Sequence, residues 1–292
     1  MSEGNHRTAA SKPGPGLFIV PTPIGNLRDV TLRALDILSG VNLIACEDTR
    51  ITSRLLNAYA IKTPMAAYHE HNAHQIQPRL LQQIKNGKSV ALVSDAGTPL
   101  VSDPGFKLVR LVIDSGLPLT VLPGPSAPIT GIVAAGLATD RFLFAGFPPP
   151  RQKARQTFFQ EFIACPTSLI FFESAKRLAR SLGDMEAVFG GREAAIAREL
   201  TKKFEEIQRG TLTKLVKFYG ARPTPKGEIV VIIDPPSSKV PPSRELIDAE
   251  ITSALAVSGV KSAAEHVSST LGLSRREIYQ RALELRRNDD PK

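Results

Sequence analysis

One pattern recurs five times in the first 125 residues: a short apolar run, a loop rich in Gly, Pro, hydroxyl or acidic residues, then a segment with helical spacing. The apolar runs are 17–20, 43–45, 65–68, 90–93 and 119–122. Runs this short, bounded by turn residues, fit strands buried on both faces. Their strict alternation with helical segments predicts a parallel sheet with helices on both faces. In such sheets ligands bind outside the carboxyl ends of the strands, and every polar motif of this region falls at such an end, so all of them can line one rim.

The most elaborate of these ends is Ser94-Asp95-Ala96-Gly97-Thr98-Pro99-Leu100-Val101-Ser102-Asp103-Pro104-Gly105. An ordinary strand-to-helix connection is short and carries one capping residue. Here two glycines let the backbone approach a ligand and two prolines stiffen the loop. The Asp95-Ala96-Gly97 half is expected to face the ligand; the Ser102-Asp103 half could instead cap the helix beginning near Pro104. The neighbouring ends are Pro21-Thr22-Pro23-Ile24-Gly25-Asn26-Leu27, Cys46-Glu47-Asp48-Thr49-Arg50, His69-Glu70-His71-Asn72 and Pro123-Gly124-Pro125-Ser126-Ala127. Asp48 also reads as the N-cap of the helix that Thr49 opens.

A chain of 292 residues exceeds one typical core. Residues 1–16 read as a disordered polar tail without the apolar core of a signal peptide, and 17–138 as a first α/β domain. A second α/β domain spans 139–235, with strands over 142–147, 169–172, 194–197 and 229–233. The segment 236–292 reads as a proline-rich linker and a small helical domain, in which Leu271-Gly272-Leu273-Ser274-Arg275-Arg276 resembles a helix-turn-helix. The net charge of +9 is uneven: residues 141–235 carry 16 Lys/Arg against 10 Asp/Glu, a net +6, and this excess points to a polyanion such as nucleic acid. No run approaches a membrane span. Cys46 and Cys165 lie in apolar contexts without metal-type spacing, as expected of reduced thiols in the cytoplasm.

Nucleotide-binding fingerprints are missing. Neither G-x-G-x-x-G after the first strand nor G-x-x-x-x-G-K-[ST] is present, which disfavours NAD enzymes and P-loop ATPases. His69, His71 and His74 match no zinc spacing, so no metal is expected.

Taken together, Val20-Pro21-Thr22-Pro23-Ile24-Gly25-Asn26-Leu27, Glu47-Asp48-Thr49-Arg50, Ser94-Asp95-Ala96-Gly97-Thr98-Pro99 and Leu122-Pro123-Gly124-Pro125-Ser126 resemble the tetrapyrrole-methylase (class III) S-adenosylmethionine fold. His69-Glu70-His71-Asn72, Phe172-Glu173-Ser174, 197–202 and Lys226-Gly227-Glu228 extend the likeness toward its ribosomal-RNA (cytidine-2′-O-) methyltransferase branch. The usual Gly-Asp-Pro of the donor loop is replaced by Asp-Ala-Gly-Thr-Pro, which fits that branch better. The resemblance implies two α/β domains with S-adenosylmethionine in the cleft between them, and a homodimer acting on ribosomal RNA or the small subunit. By position it implies donor contacts from Pro21, Ser94, Asp95, Ala96, Gly97, Ser126, Ala127, Phe172, Glu199, Leu200, Gly227 and Glu228. Asp95 or Asp103 could help hold the cationic sulfonium. Methyl transfer to a ribose hydroxyl also needs a base; Glu47, Asp48 and His69 are left open for that role, with Arg50 orienting a phosphate. Asn26, Asn72, Lys202 and Lys226 are candidate RNA contacts. Two other functions fit the same residues less well: methylation of a tetrapyrrole or another small molecule, and a non-catalytic RNA-binding assembly factor.

Overall fold

The computed structural model describes residues 12–236, 244–271 and 273–289. Residues 1–11 of the expected tail, the linker residues 237–243 and Gly272 of the proposed turn lie outside the described residues. Two compact units divide between Pro236 and Ser237.

The first unit contains two five-stranded sheets. In the first, β1 (Gly16–Ile19), β2 (Leu43–Cys46), β3 (Met65–Ala67), β4 (Ser89–Val93) and β5 (Leu119–Val121) are all parallel, in the order β3-β2-β4-β1-β5. Strand alternation sends successive side chains to opposite faces. Phe18, Ala91 and Val93 join α1 (Leu32–Gly40) and α2 (Thr49–Ala58) in one core, while Leu17, Ile19, Val90 and Leu92 join α3 (Ala73–Lys85) and α4 (Phe106–Asp114) in the other. Both faces are therefore apolar, as the uninterrupted hydrophobic runs require. Thr31 caps α1 by accepting from Ala34 N at 3.0 Å, and Asp48 caps α2 by accepting from Arg50 N at 2.8 Å.

The second sheet is mixed, not parallel. Strands β6 (Phe142–Phe144), β7 (Ser168–Ser174), β8 (Glu193–Arg198), β9 (Glu206–Thr211) and β10 (Glu228–Ile233) take the order β6-β7-β10-β8-β9. Only β6 and β7 are parallel; β10 runs antiparallel to β7 and β8, and β9 antiparallel to β8. Helices α6 (Gln152–Gln160), α7 (Leu178–Phe189) and α8 (Leu212–Gly220) cover one face with a core of Phe159, Phe171, Leu182 and Val231. The other face is covered by α5 (Ala127–Ala135), which follows β5 of the first sheet. A side chain at Gly131 would stand 3.1 Å from Val230 Cγ1, so glycine lets this helix lie close on β10. Ile24, Ile132, Leu200 and Val230 share that core, which joins the two sheets.

The second unit is helical: α9 (Arg244–Val257), α10 (Val260–Leu271) and α11 (Arg275–Asp289) bury Ile251, Ala264, Val267 and Ile278. Arg281 donates to both oxygens of Asp248, at 2.7 and 2.6 Å, tying α11 to α9. Among the described residues no helix is long and apolar enough to cross a membrane.

Several basic residues of 141–235 are engaged within the fold. Arg155 pairs with Asp184, Arg177 with Glu173, Arg198 with Glu206 and Lys202 with Glu199, while Arg209 donates to the carbonyls of Ala134 and Ala135.

Candidate active site

The loops after β1 and β4 meet where the strand order reverses. Thr22 and Gly97 exchange backbone hydrogen bonds at 2.9 and 3.0 Å, and Thr22 Oγ1 donates to the Ser94 carbonyl at 3.1 Å. Gly97 holds φ +77°, a conformation glycine adopts at little cost. The result is a cavity of about 390 Å³ at the carboxyl ends of the first sheet, walled opposite by the second. That size lies within the ~300–1,000 Å³ of small-molecule sites.

Ala96, Gly97, Ser126, Ala127, Phe172, Leu200, Gly227 and Glu228 line this cavity, from segments spread over more than a hundred residues of chain. The other four donor candidates stand behind or beside it. Ser94 is buried, and its hydroxyl faces the carbonyls of Ala96 and Gly97, so it shapes the loop. Pro21 is buried against Gly124, where an added side chain would meet its Cβ at 2.6 Å. Glu199 supports the far wall: its Oε1 accepts from Glu228 N at 3.1 Å and from Lys202 Nζ at 2.7 Å, and Lys202 also reaches Glu228 Oε2 at 2.9 Å. The hydrogen bond from Lys202 holds the Glu199 carboxyl below its ordinary range. Asp95 points away from the cavity.

Asp95 lines a second, more open pocket with Glu47, Asp48, Arg50 and His69. Its Oδ1 accepts from Asp48 N at 3.0 Å. Arg50 grips both carboxylate oxygens of Asp48, and its hydrogen bonds bring the Asp48 carboxyl down to about 2. Glu47 behaves oppositely: burial, then the charge of Asp95, raises it, with His69 opposing. All four catalytic candidates thus converge in one pocket.

The candidate RNA contacts are dispersed. Asn72 closes its own turn, accepting from His69 N and donating to Ala67 O, each at 2.9 Å. Asn26 caps a short 3₁₀ turn and donates its backbone N–H to Thr201 Oγ1 at 3.1 Å. Lys202 is held by its two acids, and the Lys226 carbonyl accepts from Arg198.

Among the further residues that line the cavity, Phe147 and Glu173 have no role assigned from the sequence, and Asp103 is expected there only as a partner of the sulfonium or as a helix cap. Phe147 follows β6 and its ring lies 5.3 Å from that of Phe172. Glu173 is buried behind Phe172, bonded to Arg177, Ser181 and Ser174 N, and Arg177 in turn donates to Pro148 O at 3.1 Å, fixing the Phe147 loop. Asp103 does not cap α4, whose N-cap is Gly105 with no side-chain bond; it faces the cavity. The strand end before Pro148-Pro149-Pro150 is the available signal for Phe147, and Glu173 stands in the Phe172-Glu173-Ser174 motif with no role of its own.

A two-sheet cleft of this kind, with a Gly/Pro loop on one side and a glycine-backed wall on the other, can hold a small polar ligand beside an acid-lined pocket. Residues 16–216 match the model of the Tetrapyrrole (Corrin/Porphyrin) Methylases, and the chain belongs to that family. Residues 242–286 match the RsmI C-terminal HTH domain. Among curated proteins the chain is 49% identical to "Ribosomal RNA small subunit methyltransferase I" of Mesorhizobium japonicum, covering 93% of this chain and 92% of that one. It is 42% identical to the protein of the same name from Escherichia coli O157:H7, over 96% and 98% of the two chains. The fold is similar to that of a uroporphyrin-III C-methyltransferase from Thermus thermophilus solved with S-adenosylhomocysteine (TM-score 0.54, 15% identity, 74% of this chain and 96% of that one). It also resembles a diphthine synthase (TM-score 0.56, 14% identity, 75% and 89%).

Proposed function

We propose that the protein transfers a methyl group from S-adenosylmethionine to the 2′-hydroxyl of a cytidine in small-subunit (16S) ribosomal RNA. The observation that carries this reading is the abutment of two pockets along one loop: Ala96 and Gly97 face the enclosed cavity, while Asp95, one residue away, faces the open one. The RNA class rests on the relatives' name and on near full-length similarity to them.

The enclosed cavity suits the donor. Phe147 and Phe172 provide an apolar surface for a flat base, and the backbone of 96–98 and Gly227 provides polar groups at close range. S-adenosylmethionine would supply a methyl group on a cationic sulfur, and the carboxylate of Asp103 is placed to offset that charge. The open pocket suits a ribose-phosphate. The Arg50 side chain is 86% exposed while anchored on Asp48, so its guanidinium can meet a phosphate as it leaves the protein surface. Holding the two reactants in line supplies most of the acceleration available to such a displacement.

Two further features belong to this reading: cytoplasmic location and a homodimer. Val121 on the edge strand β5 and Ile129 and Val133 on α5 are exposed apolar side chains that a second copy would cover.

The direct test is incubation of the purified protein with labelled donor and small ribosomal subunits or their RNA, followed by mass-spectrometric mapping. A methylated cytidine ribose that resists alkaline cleavage is expected. Unlabelled RNA in both substrates, or label on a base, would reject the proposal.

A further inference from the structure

We propose that Asp103 is the catalytic base that takes the proton from the attacking ribose hydroxyl. The inference rests on the ribose-methylation reading above and assigns a role that reading leaves open.

The other carboxylates around the two pockets are already engaged. Asp48 is bound by Arg50 and caps α2. Asp95 accepts from Asp48 N. Glu199 and Glu228 share Lys202, and Glu173 is saturated by Arg177, Ser181 and its own neighbour's N–H. Glu47 and Asp103 remain, and neither forms an ion pair among the described residues. Glu47 lines the open pocket and Asp103 the enclosed cavity, so the two acids flank the boundary where acceptor and donor meet.

Asp103 is also held firmly without a cation. Ser94, on the same loop, is buried and donates to the carbonyls of Ala96 and Gly97, which fixes the start of the loop that carries Asp103. Leu100 and Ser102 adopt φ +73° and +67°, a region side-chain-bearing residues rarely occupy. Gly105 is equally constrained, since an added Cβ would lie 2.9 Å from Leu92 Cδ2. A loop that keeps non-glycine residues in such conformations stores strain, a common feature of functional sites.

The charged groups facing Asp103 are all negative: Glu47 from the end of β2, Asp95 from its own loop, and Glu173 and Glu228 across the cavity. Burial first, then the charge of Glu47, pushes the Asp103 carboxyl up to about 6, with Ser94 opposing. A carboxylate in that range is mostly ionised at neutral pH yet basic enough to accept a proton in a transition state. In the reaction the ribose O2′–methyl bond forms as the methyl–sulfur bond breaks. The sulfur leaves as a neutral thioether, the hydroxyl proton passes to an Asp103 oxygen, and water then removes it.

The test uses the full chain with labelled S-adenosylmethionine and small ribosomal subunits, and S-adenosylhomocysteine as a calorimetric probe. Asp103→Asn is expected to lower kcat at least 100-fold, with S-adenosylhomocysteine binding within about threefold of wild type. Asp103→Glu should recover part of kcat, which separates chemistry from misfolding. The wild-type kcat should fall on the acid side near pH 6, and Glu47→Gln should shift that limb to lower pH. Retention of kcat within tenfold in Asp103→Asn overturns the proposal, as does an acid limb unmoved in Glu47→Gln. A loss in Glu47→Gln equal to that in Asp103→Asn, with S-adenosylhomocysteine still bound, would move the role to Glu47. Wild-type protein that binds S-adenosylhomocysteine but labels no RNA would overturn the underlying functional reading instead.

Discussion

The backbone N–H of Asp48 donates to Asp95 Oδ1 at 3.0 Å, fastening the loop after β2 to the loop after β4. This bond sets the distance between the open pocket and the enclosed cavity, because Asp95 adjoins Ala96 and Gly97. Asp95→Ala removes the acceptor and leaves the Asp48 N–H without it. The expected cost is about 1–2 kcal/mol of stability and a larger fall in kcat than in donor affinity. Chemical denaturation and separate KM and kcat measurements would check both; a change confined to donor KM would contradict the role.

Lys202 acts as a clasp on the far wall. Its ammonium joins Glu199 and Glu228, and Glu199 closes on Gly227, where an added Cβ would lie 2.3 Å from Glu199 Oε1. Gly227 also sits at φ +97°. Lys202→Ala should raise the donor KM about tenfold, and Gly227→Ala should do so more severely, while RNA affinity at matched salt stays close to wild type. Steady-state kinetics with each substrate varied in turn would distinguish these effects; a selective loss of RNA affinity in Lys202→Ala would make it an RNA contact instead.

Arg155 and Asp184 form a buried pair, each side chain 5% exposed, with Gln152 and Gln156 completing the shell of Asp184 and the carbonyls of Pro149 and Pro150 accepting from Arg155. Truncating one partner leaves the other charged and desolvated. Asp184→Ala should cost about 3–5 kcal/mol and lower Tm by roughly 10 °C, measurable by calorimetry. Because the same carbonyls follow Phe147, the surviving folded fraction should also bind donor more weakly.

Asp103 links pH to stability. Its folded pKa, raised to about 6, exceeds the ordinary carboxyl value of 3.8, so between those values the folded state binds more protons than the unfolded one. Stability from this group therefore falls as pH rises through that window and recovers on acidification. At pH 7.5, Asp103→Asn should raise stability by about 1 kcal/mol while abolishing turnover, a trade-off typical of functional residues. A Tm that drops at pH 7.5 would contradict the destabilised carboxylate.

The sequence by itself determined the first sheet, because each βα unit there is a local pattern: an apolar run, a turn chemistry and a helical period, with Asp48 capping α2 as expected. It also marked which loops would gather, since parallel strands put all their carboxyl ends on one rim. The tertiary structure alone decided three things. Strand β9 carries Glu206-Ile207-Gln208-Arg209-Gly210-Thr211, with too few apolar residues to announce itself, and becomes a strand by antiparallel pairing with β8. Which basic residues of 141–235 are tied up is also a tertiary outcome: Arg155 meets Asp184 from 29 residues away, and Arg209 donates to the distant carbonyls of Ala134 and Ala135. Within the central loop, Asp95 turns to the open pocket rather than to the cavity that Ala96 and Gly97 line, and Asp103 faces that cavity rather than capping α4. Side-chain direction in a loop follows from backbone dihedrals, here the positive φ of Leu100 and Ser102, and from the long-range Thr22–Gly97 pairing. Neither is encoded by the spacing of residue types; both are set by the packing of segments distant in the chain.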